Sequence, residues 1–277
     1  MTRYSLMPVC SAALAALFGF CLPSIAKSAI IDNSIAMKIS GSDEYLRIPN
    51  SPSIDLTSGI TVEAWAMFDG TEATPGMEIG MRGNNNQGYE MGIHAPSVGA
   101  PQSYGSGGVF GQFSTTSTAV NVSGFTGAFH SFVWTYNGSV SDLYLDGSLV
   151  ATEAHSVPIG TTATDLYFGI GLNSDGTWNG ATADGYYDEI RLWNYARSAA
   201  QIQSTWDTTL TGNEPGLVGY WNFNSGSGND STAYDNNGIA SAGVEFVPVP
   251  EPTAGVLICL TVMPLLLGRH RRMRTSR

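Results

Sequence analysis

The sequence predicts an all-β protein built as a sandwich of two antiparallel sheets. Between its two ends the chain has no long run of helical periodicity, and short stretches of alternating apolar and polar residues recur instead. Clusters of Gly, Asn, Asp and Ser separate these stretches, as turns separate the strands of a sandwich. A body of about 220 residues is long enough to bury a single core.

The expected strands follow one another from residue 34 to residue 223. They are 34–40, 44–49, 60–68, the shorter glycine-rich runs MEIGMR, YEMGIH and VFGQF, then 130–136, 141–155, LYFGIG, 186–194 and 217–223. Asp146-Gly147 predicts a two-residue hairpin turn, since both positions suit a positive φ. Ser198 and Gln201 form a capping-box pattern, which predicts one short surface helix ending near Trp206.

The N-terminal residues predict a secretory signal. Arg3 precedes a mostly apolar stretch at 9–22, and small residues suited to signal peptidase follow it. We therefore assign residues 1–28 to a signal peptide. An uncleaved membrane anchor is the alternative, although the apolar run is shorter than the ~20 residues that a spanning helix needs.

Residues 248–277 combine three features in a fixed order. Pro250, Glu251 and Pro252 come first, an apolar stretch at 254–268 follows, and Arg269, Arg271 and Arg272 come next. Arginines beside a spanning helix stay on the cytoplasmic side. The order resembles the PEP-CTERM sorting tail of exported bacterial surface proteins. That resemblance implies an exosortase as processing partner, transient anchoring in the inner membrane, and delivery to the cell surface or to a biofilm matrix. A plain C-terminal anchor is the alternative.

The body between these ends is strongly acidic. All 23 acidic residues lie between Asp32 and Glu251, and with only five basic residues that segment has a formal charge of −18. The five are Lys38, Arg47, Arg82, Arg191 and Arg197. Such a charge repels nucleic acid and anionic membranes and favours cations such as calcium. The predicted mature domain, residues 29–247, has no cysteine, so it has no disulfide and no thiol chemistry.

Four segments, taken in order, carry a resemblance to a known family. They are SGSDEYLRIPNSPSIDLTSGITVEAW, FHSFVWTYNGSVSDLYLDGSLVA, DGYYDEIRLWNYARSAAQI and GLVGYWNFNSGSGNDSTAYDNNGIASAG. Together they resemble the laminin G-like, concanavalin A-like lectin/glucanase domain, an architecture that pentraxins share. The resemblance implies a jelly roll of two antiparallel sheets packed face to face.

Two pairs of adjacent carboxylates, Asp43-Glu44 and Asp188-Glu189, do not predict an enzyme. Glycoside hydrolysis needs two carboxylates that face each other across about 5–9 Å of open cleft. Neighbours on a regular strand point to opposite faces instead. The sequence patterns of zinc proteases, serine-hydrolase elbows and phosphate-binding loops are also missing from the chain. A catalytic triad assembled only in space is the alternative.

The strand at 186–194 is predicted to have two distinct faces. Tyr187, Glu189, Arg191 and Trp193 share one face, on which Glu189 can pair with Arg191. Asp188 shares the other face with Ile190 and Leu192. A carboxylate in this apolar register has to be hydrogen-bonded or metal-bound to offset its desolvation.

Two interpretations of Asp188 therefore stay open. It accepts hydrogen bonds from loop amides, or it binds calcium together with an oxygen donor such as Asp43. The resemblance to laminin G-like and pentraxin domains, which commonly hold calcium at their rim, favours calcium as a structural cofactor. Asn173 and Asp175 are further candidate oxygen ligands, although their spacing is not that of an EF-hand.

Trp178 and its neighbour Asn179 are the candidate sugar contacts. Trp65, Trp134, Trp193 and Trp221 lie in predicted strands and are expected to pack in the core or between the sheets. Trp178 lies in the Gly/Asn/Asp-rich stretch 173–180, where an exposed aromatic flanked by amides can stack on a sugar ring. A tryptophan folded over the edge of the sandwich is the alternative.

Taken together, the sequence predicts an exported, non-catalytic and calcium-associated module that binds extracellular polysaccharide. A structural or adhesive surface module that binds other proteins is the rival hypothesis, and a glycan-active enzyme is the third.

Overall fold

Short antiparallel strands make up most of the described structure. The computed structural model describes residues 34–41, 43–68, 77–84, 87–94, 108–113, 116–120, 127–154, 158–172, 178–182 and 184–249. The strands are β1 (Ile35–Ile39), β2 (Leu46–Ile48), β3 (Ile60–Phe68), β4 (Met77–Asn84), β5 (Gln87–His94), β6 (Gly108–Phe113), β7 (Thr116–Val120), β8 (His130–Tyr136), β9 (Val140–Leu145), β10 (Ser148–Ala154), β11 (Leu166–Phe168), β12 (Ile170–Leu172), β13 (Trp178–Thr182), β14 (Gly185–Trp193), β15 (Leu217–Trp221), β16 (Ile239–Ala240) and β17 (Glu245–Pro248). A 3-10 helix spans Pro52–Ile54, and one α-helix, α1, spans Ala199–Thr205.

These strands form two large sheets and one small ribbon. The larger sheet has the order β10-β9-β8-β3-β14-β1-β17, and β15 also pairs with β14. The smaller sheet has the order β16-β2-β11-β4-β5-β6-β7, while β12 and β13 pair only with each other. Every pairing is antiparallel. The predicted two-sheet jelly-roll sandwich is confirmed.

The core lies between the two sheets and is rich in aromatic side chains. Trp134 and Trp221 are fully buried there. Phe168 of the smaller sheet meets Trp221 of the larger sheet with ring centroids 5.3 Å apart. Burying such a side chain contributes about 1.5–3 kcal/mol. Trp65 and Trp193 are buried, as predicted, but pack outside this cluster: Trp65 stacks on Trp206, and Trp193 joins a smaller core cluster with Tyr220.

Two local predictions are confirmed in detail. Asp146 and Gly147 join β9 to β10 with φ values of 48° and 74°, as the hairpin turn requires. Ser198 accepts a hydrogen bond from the Gln201 amide, and the Gln201 side chain accepts one from the Ser198 amide. The capping box therefore starts α1, and Trp206 is its C-cap.

The strands β7, β13, β16 and β17 were not predicted from the sequence. The last of them closes the domain, because Ile35 of β1 lies opposite Pro248 of β17. The amide of Val249 then donates to the carbonyl of Ser34 at 3.1 Å. The two ends of the described domain thus lie side by side, and the sandwich extends just past the predicted boundary at residue 247.

The predicted signal peptide at 1–28 and the sorting residues from Pro250 onward lie outside the described residues. Within the part that is described, no helix is long and apolar enough to cross a bilayer.

A β-bulge interrupts β14 at Glu189-Ile190. Asp188 lies opposite Trp65 and Arg191 lies opposite Glu63, so two residues of β14 share the single position opposite Ala64. Glu189 adopts a positive φ of 50°, and the bulge falls where the neighbour of β14 changes from β1 to β15. Such an extra residue shifts the alternation of a strand by one position.

The bulge corrects the predicted faces of this strand. Tyr187 belongs to the core cluster together with Ile190 and Leu192, instead of sharing a face with Glu189. Because Tyr187 faces the core, Asp188 and Glu189 both lie outside the core cluster, on the outer side of the larger sheet. The expectation that these two carboxylates point to opposite faces is therefore wrong.

Two glutamates and two arginines form a buried ion-pair network on this outer side. Arg191 pairs with Glu189 at 2.7 Å, as predicted, and with Glu63 at 3.2 Å. Arg197 pairs with the other oxygen of Glu63, and its guanidinium lies 4.2 Å from the ring centre of Trp193. The four charged side chains are at most 5% exposed. The positive charges of the two arginines and the negative charges of the two glutamates compensate each other in the low-dielectric interior.

The carboxylates of the network favour the charged form of Arg191. Burial alone lowers the pKa of Arg191, but the nearby carboxylates of Glu63 and Glu189 raise it, and the net direction is upward. Burial and Glu189 raise the pKa of the Tyr220 hydroxyl. The protonated Tyr220 hydroxyl can therefore donate to the Glu189 carboxylate, which it contacts at 2.7 Å.

The same two arginines fasten α1 to the sheet. Arg197 donates to the carbonyl of Gln201 at 2.9 Å, and Arg191 donates to the carbonyl of Thr205 at 3.1 Å. Arg191 also donates to the carbonyl of Thr208. The Thr205 carbonyl lies at the C-terminal end of α1, where a positive side chain satisfies a free carbonyl and complements the helix dipole. Although α1 is largely exposed, its C-terminal residue Thr205 is held by the buried side chains of Arg191 and Arg197.

We predict that Glu63→Gln lowers the free energy of unfolding by about 3–5 kcal/mol, because it leaves the two buried arginines with one carboxylate instead of two. Urea unfolding followed by tryptophan fluorescence measures this change. Glu153→Gln, on exposed β10, is the matched control and should shift stability by no more than about 0.5 kcal/mol. Equal unfolding midpoints for the two variants would contradict the prediction.

Candidate functional site

Asp188 is buried and already hydrogen-bonded. Its Oδ2 accepts from the Ser34 hydroxyl at 2.8 Å, and its Oδ1 accepts from the Glu189 amide at 2.8 Å. Burial raises the pKa of this carboxyl well above its usual value, and the neighbouring charge of Glu189 raises it further. The Ser34 and Glu189 hydrogen bonds and the charge of Arg191 oppose that rise without cancelling it.

Asp43 lies elsewhere on the molecule. It is exposed, and its backbone carbonyl accepts from the Ser241 hydroxyl at 3.1 Å. The register places Asp188 across from Ala36 near the start of β1, whereas Asp43 follows the other end of that strand. The part of β1 between these two points spans about 10 Å at a rise of ~3.3 Å per residue. Asp43 and Asp188 therefore do not form one site.

The described residues contain no cluster of acidic, histidine or cysteine side chains of the kind that holds a metal ion. Calcium takes 6–8 oxygen ligands, and nowhere in the described part of the chain do three or more His, Cys, Asp or Glu side chains gather as a metal site would require. Asn173 and Asp175, the other predicted ligands, lie outside the described residues. Asp188 is thus a single carboxylate to which further ligands would have to be added.

The predicted sugar contacts Trp178 and Asn179 lie in a strand and not in a loop. Trp178 begins β13 and pairs with Leu172 of β12 in the two-stranded ribbon. Their side chains are outside the described part of the structure.

A polar groove of about 600 Å³ opens at one end of the smaller sheet. It is lined by Asn50, Ser51, Pro52, Asp55, Thr161, Thr162 and Ala163. The lining comes from two loops, one after β2 and one before β11. Because β2 and β11 are antiparallel neighbours, with Leu166 opposite Ile48, these loops emerge together at the same end of the sheet.

Arg82 holds the two loops of the groove in place. It lies on β4 opposite Leu166 and Tyr89, both core residues, and its side chain is only 1% exposed. Its guanidinium donates to the Asp55 carboxylate at 2.9 Å and to the Asn50 side-chain oxygen at 2.7 Å. It also donates to the backbone carbonyl of Thr162 at 2.8 Å. One buried cation thus ties both walls of the groove to the core.

A second ion pair supports the edge of the groove. Arg47 donates to Asp165 at 2.7 Å, and this hydrogen bond and the charge of Asp165 raise the pKa of Arg47. The other oxygen of Asp165 accepts from the amide of Asn50, which lines the groove. Ser51, in the same loop, donates to the side-chain oxygen of buried Asn236 at 2.8 Å. The loop after β2 is therefore anchored at Asn50 and at Ser51.

The groove offers hydrogen-bonding groups and a smaller share of apolar surface. Its hydroxyls, amide and single lining carboxylate, that of Asp55, can donate to and accept from the hydroxyls of a polar ligand. The sequence did not reveal this site, because its two loops are about a hundred residues apart in the chain. The sequence distinguishes Arg82 only as one of few basic residues, and it does not indicate that this side chain lies beneath both loops.

The two-sheet antiparallel jelly roll is the architecture of a concanavalin A-like β-sandwich. The chain belongs to the concanavalin A-like lectin/glucanases superfamily, since residues 40–203 match the family model Laminin_G_3, which carries that description. No curated protein matches the sequence.

The solved structures that share the fold include the following two. A putative carbohydrate binding protein from Bacteroides ovatus ATCC 8483 is 17% identical, with a TM-score of 0.60 over 79% of this chain and 61% of that protein. The chain thus spans less than two thirds of its length. The native heptameric SAP-like pentraxin from Limulus polyphemus is 13% identical, with a TM-score of 0.57 over 80% of this chain and 98% of that one. At these identities the likeness shows the fold alone.

We predict that Asp188→Asn removes a pH dependence of stability measured in chelator. Because the folded-state pKa of Asp188 is raised, the unfolded state releases this proton first, and the wild-type protein loses stability as pH rises from about 4 towards the folded-state pKa. Asn keeps an acceptor for the Glu189 amide and carries no charge, so the variant should lack this loss. Urea unfolding across that pH range provides the measurement, and superimposable pH profiles of the two proteins would refute the prediction.

Proposed function

We propose that this protein is an exported, non-catalytic carbohydrate-binding module whose ligand occupies the groove between the loop after β2 and the loop before β11. The observation that carries the proposal is the groove itself: a solvent-open, polar surface built on a lectin-like sandwich and held by the buried Arg82. A sugar ring presents hydroxyls that both donate and accept, which matches the mixed hydroxyl, amide and carboxylate lining.

The existing partners of three carboxylates, one in the groove and two in the larger sheet, support a binding function over hydrolysis. Asp55, the one carboxylate lining the groove, is paired with Arg82. Asp188 and Glu189 are buried and bound by their own neighbours. Hydrolysis of a glycosidic bond needs two carboxylates facing an open cleft, and none of these three takes part in such a pair. The likeness of the fold to the Bacteroides ovatus protein, a putative carbohydrate binding protein, also supports the proposal.

Calcium and Trp178 are further parts of this proposal. A cation beside Asp188 would relieve the cost of burying its negative form, which is the cost that raises its pKa. Asn173 and Asp175 would supply the remaining side-chain oxygens. Trp178 and Asn179 would add a second sugar contact, by stacking of the indole on a ring.

The place of action that we propose is the bacterial surface or its extracellular matrix. Signal peptidase would remove residues 1–28, and an exosortase would recognise Pro250, Glu251 and Pro252 and release the apolar stretch and its arginines. The acidic and cysteine-free composition of the body supports a location away from nucleic acid and from thiol chemistry.

We expect Ala163→Trp to weaken glycan retention by about tenfold or more, since an indole placed on an exposed lining residue fills the groove. A glycan array with the exported protein identifies a ligand, and affinity electrophoresis then measures its retention. Ala200→Trp, on the exposed face of α1, is the matched control and should leave retention unchanged. Trp178→Ala tests the second contact in the same assay.

A blank array together with capture of a surface protein would replace the glycan-binding proposal with the adhesive one. Release of shortened oligosaccharides would instead show an enzyme.

We expect processing at both ends of the chain in a host that contains an exosortase. Mass spectrometry of the surface fraction should find a mature N-terminus at Ala29 and a C-terminus that lacks both the apolar stretch at 254–268 and the arginines after it. Changing Pro250, Glu251 and Pro252 to alanine should leave the C-terminal stretch in place, because the recognition sequence is lost. Recovery of the intact C-terminus from the unchanged protein would refute the sorting proposal.

A further inference from the structure

The domain has very few positive charges. Residues 34–249 contain no lysine or arginine other than Lys38, Arg47, Arg82, Arg191 and Arg197. An anionic polysaccharide is bound by proteins through such groups, above all through arginines that are free to meet a carboxylate or a sulfate. The state of these five side chains therefore bears directly on the class of glycan that the groove can accept.

Each of the five cations is already paired with a carboxylate of the domain. Lys38 pairs with Glu245 at 3.4 Å, Arg47 with Asp165 at 2.7 Å, and Arg82 with Asp55 at 2.9 Å. Arg191 pairs with Glu63 and Glu189, and Arg197 pairs with Glu63. No arginine or lysine of residues 34–249 is left to meet an incoming anion without losing an ion pair.

Three of these cations are also out of reach of any ligand. The side chains of Arg82 and Arg191 are 1% exposed, and that of Arg197 is 4% exposed. Arg82 reaches towards the groove, but its two terminal nitrogens are used by Asp55, Asn50 and Thr162. Its remaining nitrogen, Nε, has no partner but is fully buried, so it offers nothing to a ligand in the groove.

In the groove, the carboxylate is therefore exposed to a ligand, whereas the arginine that pairs with it is buried. The Asp55 side chain, which lines the groove, is 36% exposed, whereas the Arg82 side chain beneath it is 1% exposed. Arg47, nearby, is 35% exposed but is held by Asp165, which is itself 25% exposed. A carboxylate or sulfate entering the groove would approach Asp55 with no free cation to compensate it, within a strongly acidic domain. A neutral sugar hydroxyl can instead donate to Asp55.

We propose that the groove accepts uncharged polysaccharide and rejects uronic-acid-containing and sulfated chains. This inference rests on the proposed glycan-binding function and adds the chemical class of the ligand. The selectivity arises because the lysine and all four arginines of the domain are paired with its own carboxylates. A negatively charged group on the ligand would therefore meet no positive partner.

The test compares neutral and acidic polysaccharides as probes of the exported protein. The neutral probes are dextran, galactan, arabinan and mannan, and the acidic probes are hyaluronan, heparin and polygalacturonate. Retention is measured by affinity electrophoresis in low salt and in about 1 M NaCl, where the Debye length falls to about 3 Å. We expect retention by at least one neutral probe, unchanged by salt, and none by the acidic probes.

A matched pair of lysine variants ties the selectivity to the groove. Thr161→Lys adds a free cation at an exposed lining position, and Ala200→Lys adds the same charge on α1. We expect Thr161→Lys to give detectable hyaluronan retention in low salt, through an exposed ion pair that the unchanged protein lacks, and to lose this retention in high salt. The Ala200→Lys variant should show no such retention.

Retention of the unchanged protein by an acidic probe would overturn the inference while leaving glycan binding intact. Retention by no probe would refute the proposed function and, with it, this inference. Binding of a neutral probe with no difference between the two lysine variants would overturn the assignment to the groove.

Discussion

The bulge at Glu189-Ile190 is the constraint on which the rest of the larger sheet depends. One extra residue in β14 lets Tyr187 and Ile190 both face the core. The same step places Glu189 and Arg191 together on the outer side, where they join the buried ion-pair network. Without the extra residue, the side chains on one side of the bulge would change faces, because a shift of one residue exchanges the two faces of a strand. Either core residues would then face outward or the charged residues would face the core.

The two faces of the sandwich use charge in different ways. On the outer side of the larger sheet, the arginines and glutamates are buried together, and they hold α1 in place. At the end of the smaller sheet, Arg82 is buried but its partner Asp55 is partly exposed. The first arrangement serves stability, since all its members are hidden. The second shapes a surface, because it fixes two loops and leaves their hydroxyls, amide and carboxylate open to solvent.

Local signals in the sequence predicted the parts of the fold that depend on near neighbours. The Asp146-Gly147 turn and the Ser198–Gln201 capping box each involve residues within a few positions of one another, and both are present in the structure. The bulge was missed because alternation alone gives no sign of an inserted residue, and the positive φ of Glu189 is unusual for its type. Long-range pairing decides its position, since the edge partner of β14 changes there.

The candidate site could not be predicted for the same reason. The loops at 50–55 and 161–163 meet only because β2 and β11 are neighbours in the smaller sheet, and Arg82 reaches them from a third strand. Asp43 and Asp188, grouped by residue type, lie at opposite ends of β1. The pairing of β1 with β17 has a mechanical consequence. Ser34 and Val249 leave the sandwich side by side. A force that pulls these two residues apart would therefore break the hydrogen bonds between β1 and β17 one after another, beginning at these ends.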